Sequence, residues 1–252
     1  MTTKAGLILI ATSLLATAVL GDDRPRARDL GIPLEGVTGP LNAITDVPGV
    51  SVGHATIIEG DGKLEAGKGP VRTGVTAILP RGAEGMATPV FAGSFALNGN
   101  GEMTGTLWVE EGGQMAGPIT ITNTHSVGTV RDAVIEWMLA RDDSLEWSLP
   151  VTAETWDGSG YNYQGLNDAN GFHVTKQHAF DALNSARPGP VIEGSVGGGT
   201  GMVCHEFKGG IGTASRVVDV AGESYTVGVL VQCNYGLRQW LKVAGAPVGL
   251  EL

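Results

Sequence analysis

The chain has 252 residues, with 26 Asp and Glu against 16 Lys and Arg and a formal net charge of −10 at pH 7. That balance argues against a nucleic-acid surface, which needs clustered Lys and Arg for its phosphate contacts. A composition of 42% hydrophobic and 17% charged residues with 40 glycines excludes a disordered chain and suits a compact α/β or β-rich globule of one large or two small domains.

Taken in order, Met1 to Gly21 reads as a secretory signal. Lys4 supplies the positive start, Ala5 to Leu20 is an uncharged and largely apolar run, and Gly21 is a small residue at the expected cleavage point. The run is shorter than the roughly 20 apolar residues a spanning helix needs. No second such run follows, so the mature protein is expected to be free of the membrane, in the periplasm or secreted. No Cys follows the run, which argues against a lipoprotein signal.

Asp22 to Arg28 is charged and expected to fray. Leu30 to Gly53 carries short β-like runs among Gly and Pro, and Asp46-Val47-Pro48-Gly49-Val50 reads as a turn between strands. His54 falls at an expected strand end, where a lone histidine is read as structural. Glu59 to Gly69 is a polar loop. Val71 to Leu79 alternates as a strand, with Thr73, Val75, Ala77 and Leu79 on one face and Arg72, Thr76 and Ile78 on the other. Pro89 to Leu97 is apolar and expected to be buried. Asn98-Gly99-Asn100-Gly101-Glu102 is a polar loop, and Leu107-Trp108-Val109 is expected to open a strand. Pro118 to Thr124 alternates Ile with Thr, a strand with one buried face.

After Ser126, a candidate N-cap, the residues Val130, Ala133, Val134, Trp137 and Met138 recur at helical spacing. Leu149 to Glu154 reads as a strand, Thr155 to Gly171 as a polar loop and Lys176 to Arg187 as a second helix. Tyr225 to Cys233 is a near-continuous apolar strand, the kind expected to be buried on both faces. Cys204 and Cys233 are the only cysteines; export would permit a disulfide, but each follows apolar residues, so they are expected as buried free thiols. Two cysteines without a C-x-x-C spacing build no metal cage, and neither a metal nor a cofactor is expected. Strands and interspersed helices on both sides of residue 195 predict an α/β or α+β layered domain.

The densest signal is Glu193-Gly194-Ser195-Val196-Gly197-Gly198-Gly199-Thr200-Gly201-Met202. Five of the eight positions from Gly194 to Gly201 are glycine, a large entropic cost for an ordinary loop. The nucleophile elbow G-x-S-x-G fails because Glu193 holds its first position. The phosphate loop fails for want of a Lys, and the dinucleotide fingerprint starting at Gly197 fails at Met202. A flexible glycine loop and a sharp turn presenting a reactive hydroxyl both remain open on spacing alone.

The stretch Gly194 to Met202, followed by Phe207-Lys208-Gly209-Gly210-Ile211-Gly212-Thr213, resembles the self-processing serine aminopeptidases. These are N-terminal-nucleophile-like hydrolases that include L-aminopeptidase/D-amidase/D-esterase enzymes and β-peptidyl aminopeptidases. The likeness extends through Arg28-Asp29-Leu30-Gly31-Ile32, Asn42-Ala43-Ile44-Thr45-Asp46-Val47, Val71 to Thr76, Leu97 to Glu102, Thr122 to Gly128, Glu154-Thr155, Leu166-Asn167-Asp168 and Tyr225 to Val229. The resemblance implies a four-layer αββα sandwich. It implies self-cleavage between Gly194 and Ser195, giving a first subunit over 22–194 and a second from 195–252 in one catalytic domain. Ser195 is then both nucleophile and new N-terminus, and its α-amine, with a reference pKa of about 7.7–8.0, is available as the base.

By the same resemblance the acyl-enzyme forms on Ser195, with Asn167 as the amide donor to the oxyanion and the N–H groups of Gly197 to Gly199 as further candidates. A preference for substrates with a free amine calls for a carboxylate, for which Glu102 is the candidate. Asn234 is expected to line the same pocket. The family's sites also use a tyrosine and a second serine–carboxylate pair, from which Phe95, Cys233 and Tyr235 read as departures. The expected substrates are small peptides, amino-acid amides or esters, and the expected assembly is a homo-oligomer. An acyltransferase of similar self-cleaving design and an inactive remnant are the alternatives. Only 58 residues run from Ser195 to Leu252, so the second subunit is expected to be incomplete at its C-terminus.

Overall fold

The computed structural model describes residues 25–159 and 164–252. The expected signal at 1–21 lies outside the described residues. In chain order the elements are β1 (Ser51–Glu59), β2 (Val71–Leu79), β3 (Val90–Phe91), α1 (Thr106–Gly112), β4 (Gln114–Met115), β5 (Ile119–Asn123), α2 (Val127–Leu139), β6 (Val151–Thr155), α3 (Lys176–Ser185), β7 (Val203–Cys204), β8 (Phe207–Lys208), β9 (Gly210–Val220) and β10 (Glu223–Cys233).

A four-stranded sheet runs in the order β1-β2-β5-β6. β1 and β2 pair antiparallel with Ser51 opposite Leu79, and β5 pairs antiparallel with β2. β5 and β6 are parallel, with Ile119 opposite Val151, and α2 forms their crossover. The Val-, Ile- and Thr-rich composition of β1 and β2 suits a pleated surface covered on both sides. One face, through Ala55, Ile57, Val75, Ala77 and Leu79, packs against Val130, Val134 and Met138 of α2 and Ala182 and Leu183 of α3. The other face, through Val52 and Ile78, packs toward Leu230 of β10 and toward Ile44 and Val47. β9 and β10 form a separate antiparallel hairpin with Cys233 opposite Gly210. The described residues thus form three layers, helices, sheet and hairpin, in a mixed α/β arrangement. No helix among them covers the hairpin's outer face.

That open face corrects the reading of β10 as buried on both sides. Gly228 packs against the Ile44 backbone, while Val227, Val229 and Val231 on the opposite face are about half exposed. A run of apolar residues records a capacity for burial, and here only one side of the strand meets a partner layer.

Several local expectations are also corrected. Leu107-Trp108-Val109 lies in α1 rather than a strand, because only Val109 points inward while Trp108 stacks edge-on against Trp147. Pro89 to Leu97 is not buried: Phe91, Phe95 and Leu97 stand largely in solvent. His54 lies in the middle of β1, not at its end. Ser126 occupies the N-cap position of α2 but makes no side-chain cap bond, since the chain enters the helix through a 3-10 turn over Thr124–Ser126. Finally, Cys204 and Cys233 are not free thiols. They form a disulfide with their Cα atoms 5.8 Å apart, because the β7–β8 hairpin folds back onto the end of β10 across a separation of 29 residues.

Candidate active site

The stretch around Ser195 is held from three sides. Glu193 accepts from the Thr213 N–H at 2.8 Å and is ion-paired with Arg26 at 2.9 Å. Gly194 then pairs with the start of β9: its N–H donates to the Ile211 carbonyl at 2.7 Å, and the Ile211 N–H donates to the Gly194 carbonyl at 2.8 Å. The same Gly194 oxygen accepts a second N–H, from Val196, at 2.9 Å. Ser195 therefore sits at the tip of a tight turn whose preceding carbonyl carries two backbone donors. This approach requires glycine at 210, where φ is +148° and a Cβ would stand 2.1 Å from the Gly194 oxygen.

Beyond Ser195 the chain makes a 3-10 turn over Gly197–Gly199 that docks on the sheet. The Gly197 N–H donates to Thr56 Oγ1 at 2.8 Å and the Gly198 N–H to Thr76 Oγ1 at 3.2 Å. Both hydroxyls come from adjacent strands, β1 and β2. His54 Nδ1 lies 3.0 Å from the same Thr76 hydroxyl. Burial pushes the His54 imidazole down to about 4; the Ile192 backbone opposes this and the Arg187 charge adds to it, so the ring is neutral at pH 7.

Ser195 is half-buried and borders a cavity of about 520 Å³ lined also by Asp61, Leu64, Arg72, Leu166, Thr200 and Lys208. Asn167 lies behind this wall, 1% exposed. Its Nδ2 donates to Asp157 Oδ1 at 3.0 Å, and its Oδ1 accepts the Arg72 N–H at 3.0 Å. Asp168 Oδ2 accepts from the N–H groups of Gly67 and Gly69 at 2.7 and 3.3 Å and pairs with His173 Nε2 at 2.9 Å. Burial pushes the Asp168 carboxyl up, but these bonds outweigh it and hold the group below its ordinary range. Asp168 thereby pins the loop that brings Asp61 and Leu64 to the cavity.

Of the residues expected from sequence, the structure brings Ser195, Gly194, Asn167 and the Gly197–Gly198 turn into one neighbourhood. The N–H groups of Gly197 and Gly198 are spent on the two threonines. Glu102 does not line the cavity; it is exposed, and its N–H donates to Glu154 Oε1 at 3.2 Å. Asn234 is used as a tie, accepting the Val203 N–H at 3.1 Å and donating to the Trp156 carbonyl at 2.8 Å. Sequence reasoning missed Thr56, Thr76 and Asp157, whose contacts span 141, 122 and 10 positions of chain. Among the described residues no group of three or more His, Cys, Asp and Glu side chains is placed to hold a metal.

The fold and this glycine-flanked serine define a class. The structure superposes with a TM-score of 0.83 on the L-aminopeptidase D-Ala-esterase/amidase of Ochrobactrum anthropi, described as a prototype of serine aminopeptidases with a variant of the Ntn hydrolase fold. That match is at 52% identity and covers 91% of this chain and 63% of that one. A Burkholderia sp. β-aminopeptidase aligns at TM-score 0.82 and 53% identity, over 90% of this chain and 62% of that one. The architecture is therefore that of the Ntn-type serine aminopeptidases.

Residues 42–252 match the model of peptidase family S58, and the chain belongs to that family. Two β-peptidyl aminopeptidases named BapA are similar to it. That of Sphingosinicella microcystinivorans is 61% identical over 97% of this chain, and that of Sphingosinicella xenopeptidilytica is 50% identical over 98%. The chain spans 60% of the length of each of these two relatives.

Proposed function

We propose that the protein is a serine aminopeptidase that cuts itself between Gly194 and Ser195 and then uses Ser195 as its nucleophile. The observation that carries this reading is the Gly194 carbonyl, whose oxygen accepts N–H donors from both Ile211 and Val196. Two donors aimed at one carbonyl stabilise negative charge that develops there on attack. Oγ of Ser195 adds to the Gly194 carbonyl carbon, the Gly194–Ser195 C–N bond breaks, and the hydroxyl proton ends on the freed nitrogen. Water then cleaves the resulting ester, leaving a Gly194 carboxylate and a Ser195 with a free hydroxyl and α-amine.

In the second reaction that amine takes the hydroxyl proton as Ser195 attacks a substrate carbonyl bordering the cavity. An acyl-enzyme forms, the leaving amine or alcohol takes the proton, and water releases the acid. The Asn167 Nδ2 carries two protons; one is held by Asp157 and the other is the donor assigned to the oxyanion. This chemistry uses groups of the chain and water, and no cofactor. The names of the similar proteins, β-peptidyl aminopeptidase and L-aminopeptidase D-Ala-esterase/amidase, support peptides, amino-acid amides and esters as the substrate class. Export to the periplasm or medium, on the strength of residues 1–21, and a homo-oligomeric assembly complete the reading. Denaturing electrophoresis with mass spectrometry tests it: a fragment beginning at Ser195 is expected, and Ser195→Ala is expected to remain a single inactive chain. A fully active, uncut wild-type chain refutes it.

A further inference from the structure

Asp157 is a buried acid that the chemistry above does not use directly. It is 2% exposed and lies just past the end of β6. A buried carboxyl is costly unless its oxygens are partnered, so its surroundings bear on its use. Asn167 is bonded to it directly, and beside it Asn123 at the end of β5 donates its Nδ2 to Thr73 Oγ1 of β2 at 2.9 Å. Asn167 Nδ2 donates to its Oδ1 at 3.0 Å while its Oδ2 is buried without a hydrogen-bond partner, and burial, only partly offset by the polar groups around it, holds the carboxyl above its ordinary range.

The two partners of the Asn167 side chain are complementary. On one side stands Asp157 Oδ1, which accepts; on the other stands the Arg72 N–H, which only donates. Turning the amide over would set oxygen against oxygen and N–H against NH₂ at 3.0 Å on both sides. The orientation is therefore single, and it keeps Nδ2, with its second proton, on the Asp157 side. Arg72 and Leu166, the hydrogen-bond partner and chain neighbour of Asn167, both line the Ser195 cavity. The nucleophile loop is registered on the same acid: a Cβ at Gly201 would stand 2.7 Å from Asp157 Cβ.

We propose that Asp157 is the positioning residue of this site: it fixes the Asn167 amide so that its free N–H serves the oxyanion on the substrate carbonyl. The proposal rests on the oxyanion role assigned to Asn167. Removing the acceptor leaves the amide held only through its oxygen by the Arg72 N–H, so the NH₂ group loses its fixed direction, which costs rate rather than ground-state affinity.

The test uses the full chain and an amino-acid p-nitroanilide, comparing wild type, Asn167→Ala, Asp157→Asn, Asp157→Ala and the double alanine variant, each checked by thermal unfolding. Asn167→Ala is expected to lower kcat by roughly 10²–10³. Asp157→Ala is expected to lower kcat by about tenfold to a hundredfold with KM nearly unchanged. Asp157→Asn keeps an acceptor oxygen and is expected to recover most of that loss. The double variant should be no slower than Asn167→Ala alone. If Asp157→Ala does not fold, Asp157→Ser, whose side chain is too short to reach Nδ2, carries the same expectation. Full kcat in Asp157→Ala or Asp157→Ser while Asn167→Ala is impaired overturns this proposal alone, as does a double variant whose losses multiply. Full kcat in Asn167→Ala overturns the oxyanion assignment itself and the proposal with it.

Discussion

Gly210 and Gly194 meet backbone to backbone: a single added carbon on Gly210 would fall 2.1 Å from the Gly194 carbonyl oxygen and 2.3 Å from its carbonyl carbon. The atoms it would strike are those of the carbonyl that Ser195 Oγ is proposed to attack. Gly210→Ala should push the Gly194–Ser195 peptide away from the Ile211 N–H and stop self-cleavage while the sheet and helices persist. Electrophoresis of the purified variant, with circular dichroism as the check on folding, reads the result. A folded variant that cuts as fast as wild type contradicts the role given to this contact.

His54 makes stability depend on pH in a stated direction. Its ring titrates at about 4 in the folded chain against an ordinary value of 6.5, so between those limits the unfolded chain binds more protons. Stability is fully present above the higher value and drains away as pH falls toward the lower, by on the order of 3 kcal/mol for this group. His54→Asn keeps a polar atom toward Thr76 and cannot charge. Urea unfolding across the window should show wild type losing stability relative to the variant as pH falls. Parallel pH profiles for the two proteins would refute the assignment.

The disulfide closes a separation of 29 residues between the β7–β8 hairpin and the end of β10. Constraining a loop of that size in the unfolded chain is worth about 3–4 kcal/mol. Cys204→Ser and Cys233→Ser should each lower the unfolding midpoint, and a reductant should do so for wild type but not for either variant. A wild-type midpoint that ignores reductant argues against the bond.

What the sequence made legible follows from how local each signal is. The helix carrying Val130, Val134 and Met138 was visible because its own spacing declares a buried stripe, and β2 because its alternation does. Ser195, Gly194 and Asn167 were visible as motifs. The misread segments lacked a local determinant. Leu107-Trp108-Val109 is too short for a period to separate helix from strand, and the exposure of Phe91 and Val229 depends on which layer covers them. The threonine hydroxyls under the Gly197 turn, the pairing of Cys204 with Cys233, and the acid behind Asn167 are tertiary facts. Spacing along one chain does not encode which strand lies beneath which loop.

The identity of the base gives the last prediction. Besides the α-amine of a cut Ser195, the His54 ring lies beside the Gly197 turn, and the two titrate in different ranges. The His54 ring, at about 4, is already neutral through most of the usable pH range. A rate governed by it would stay flat from neutral pH down to acid conditions. The α-amine of a cut Ser195 has a reference pKa of about 7.7–8.0, and only its neutral form accepts a proton. If it is the base, kcat/KM should fall by about tenfold per pH unit below that amine's pKa, well above the His54 range. The uncut chain has a peptide nitrogen at this position and no such base, so activity should rise in step with the Ser195-terminal fragment during processing. Acylating the new N-terminus should abolish activity without restoring the uncut band. A pH–rate profile whose acidic limb falls only near the His54 value, or an acylated enzyme that retains its rate, rejects the α-amine and assigns proton transfer elsewhere.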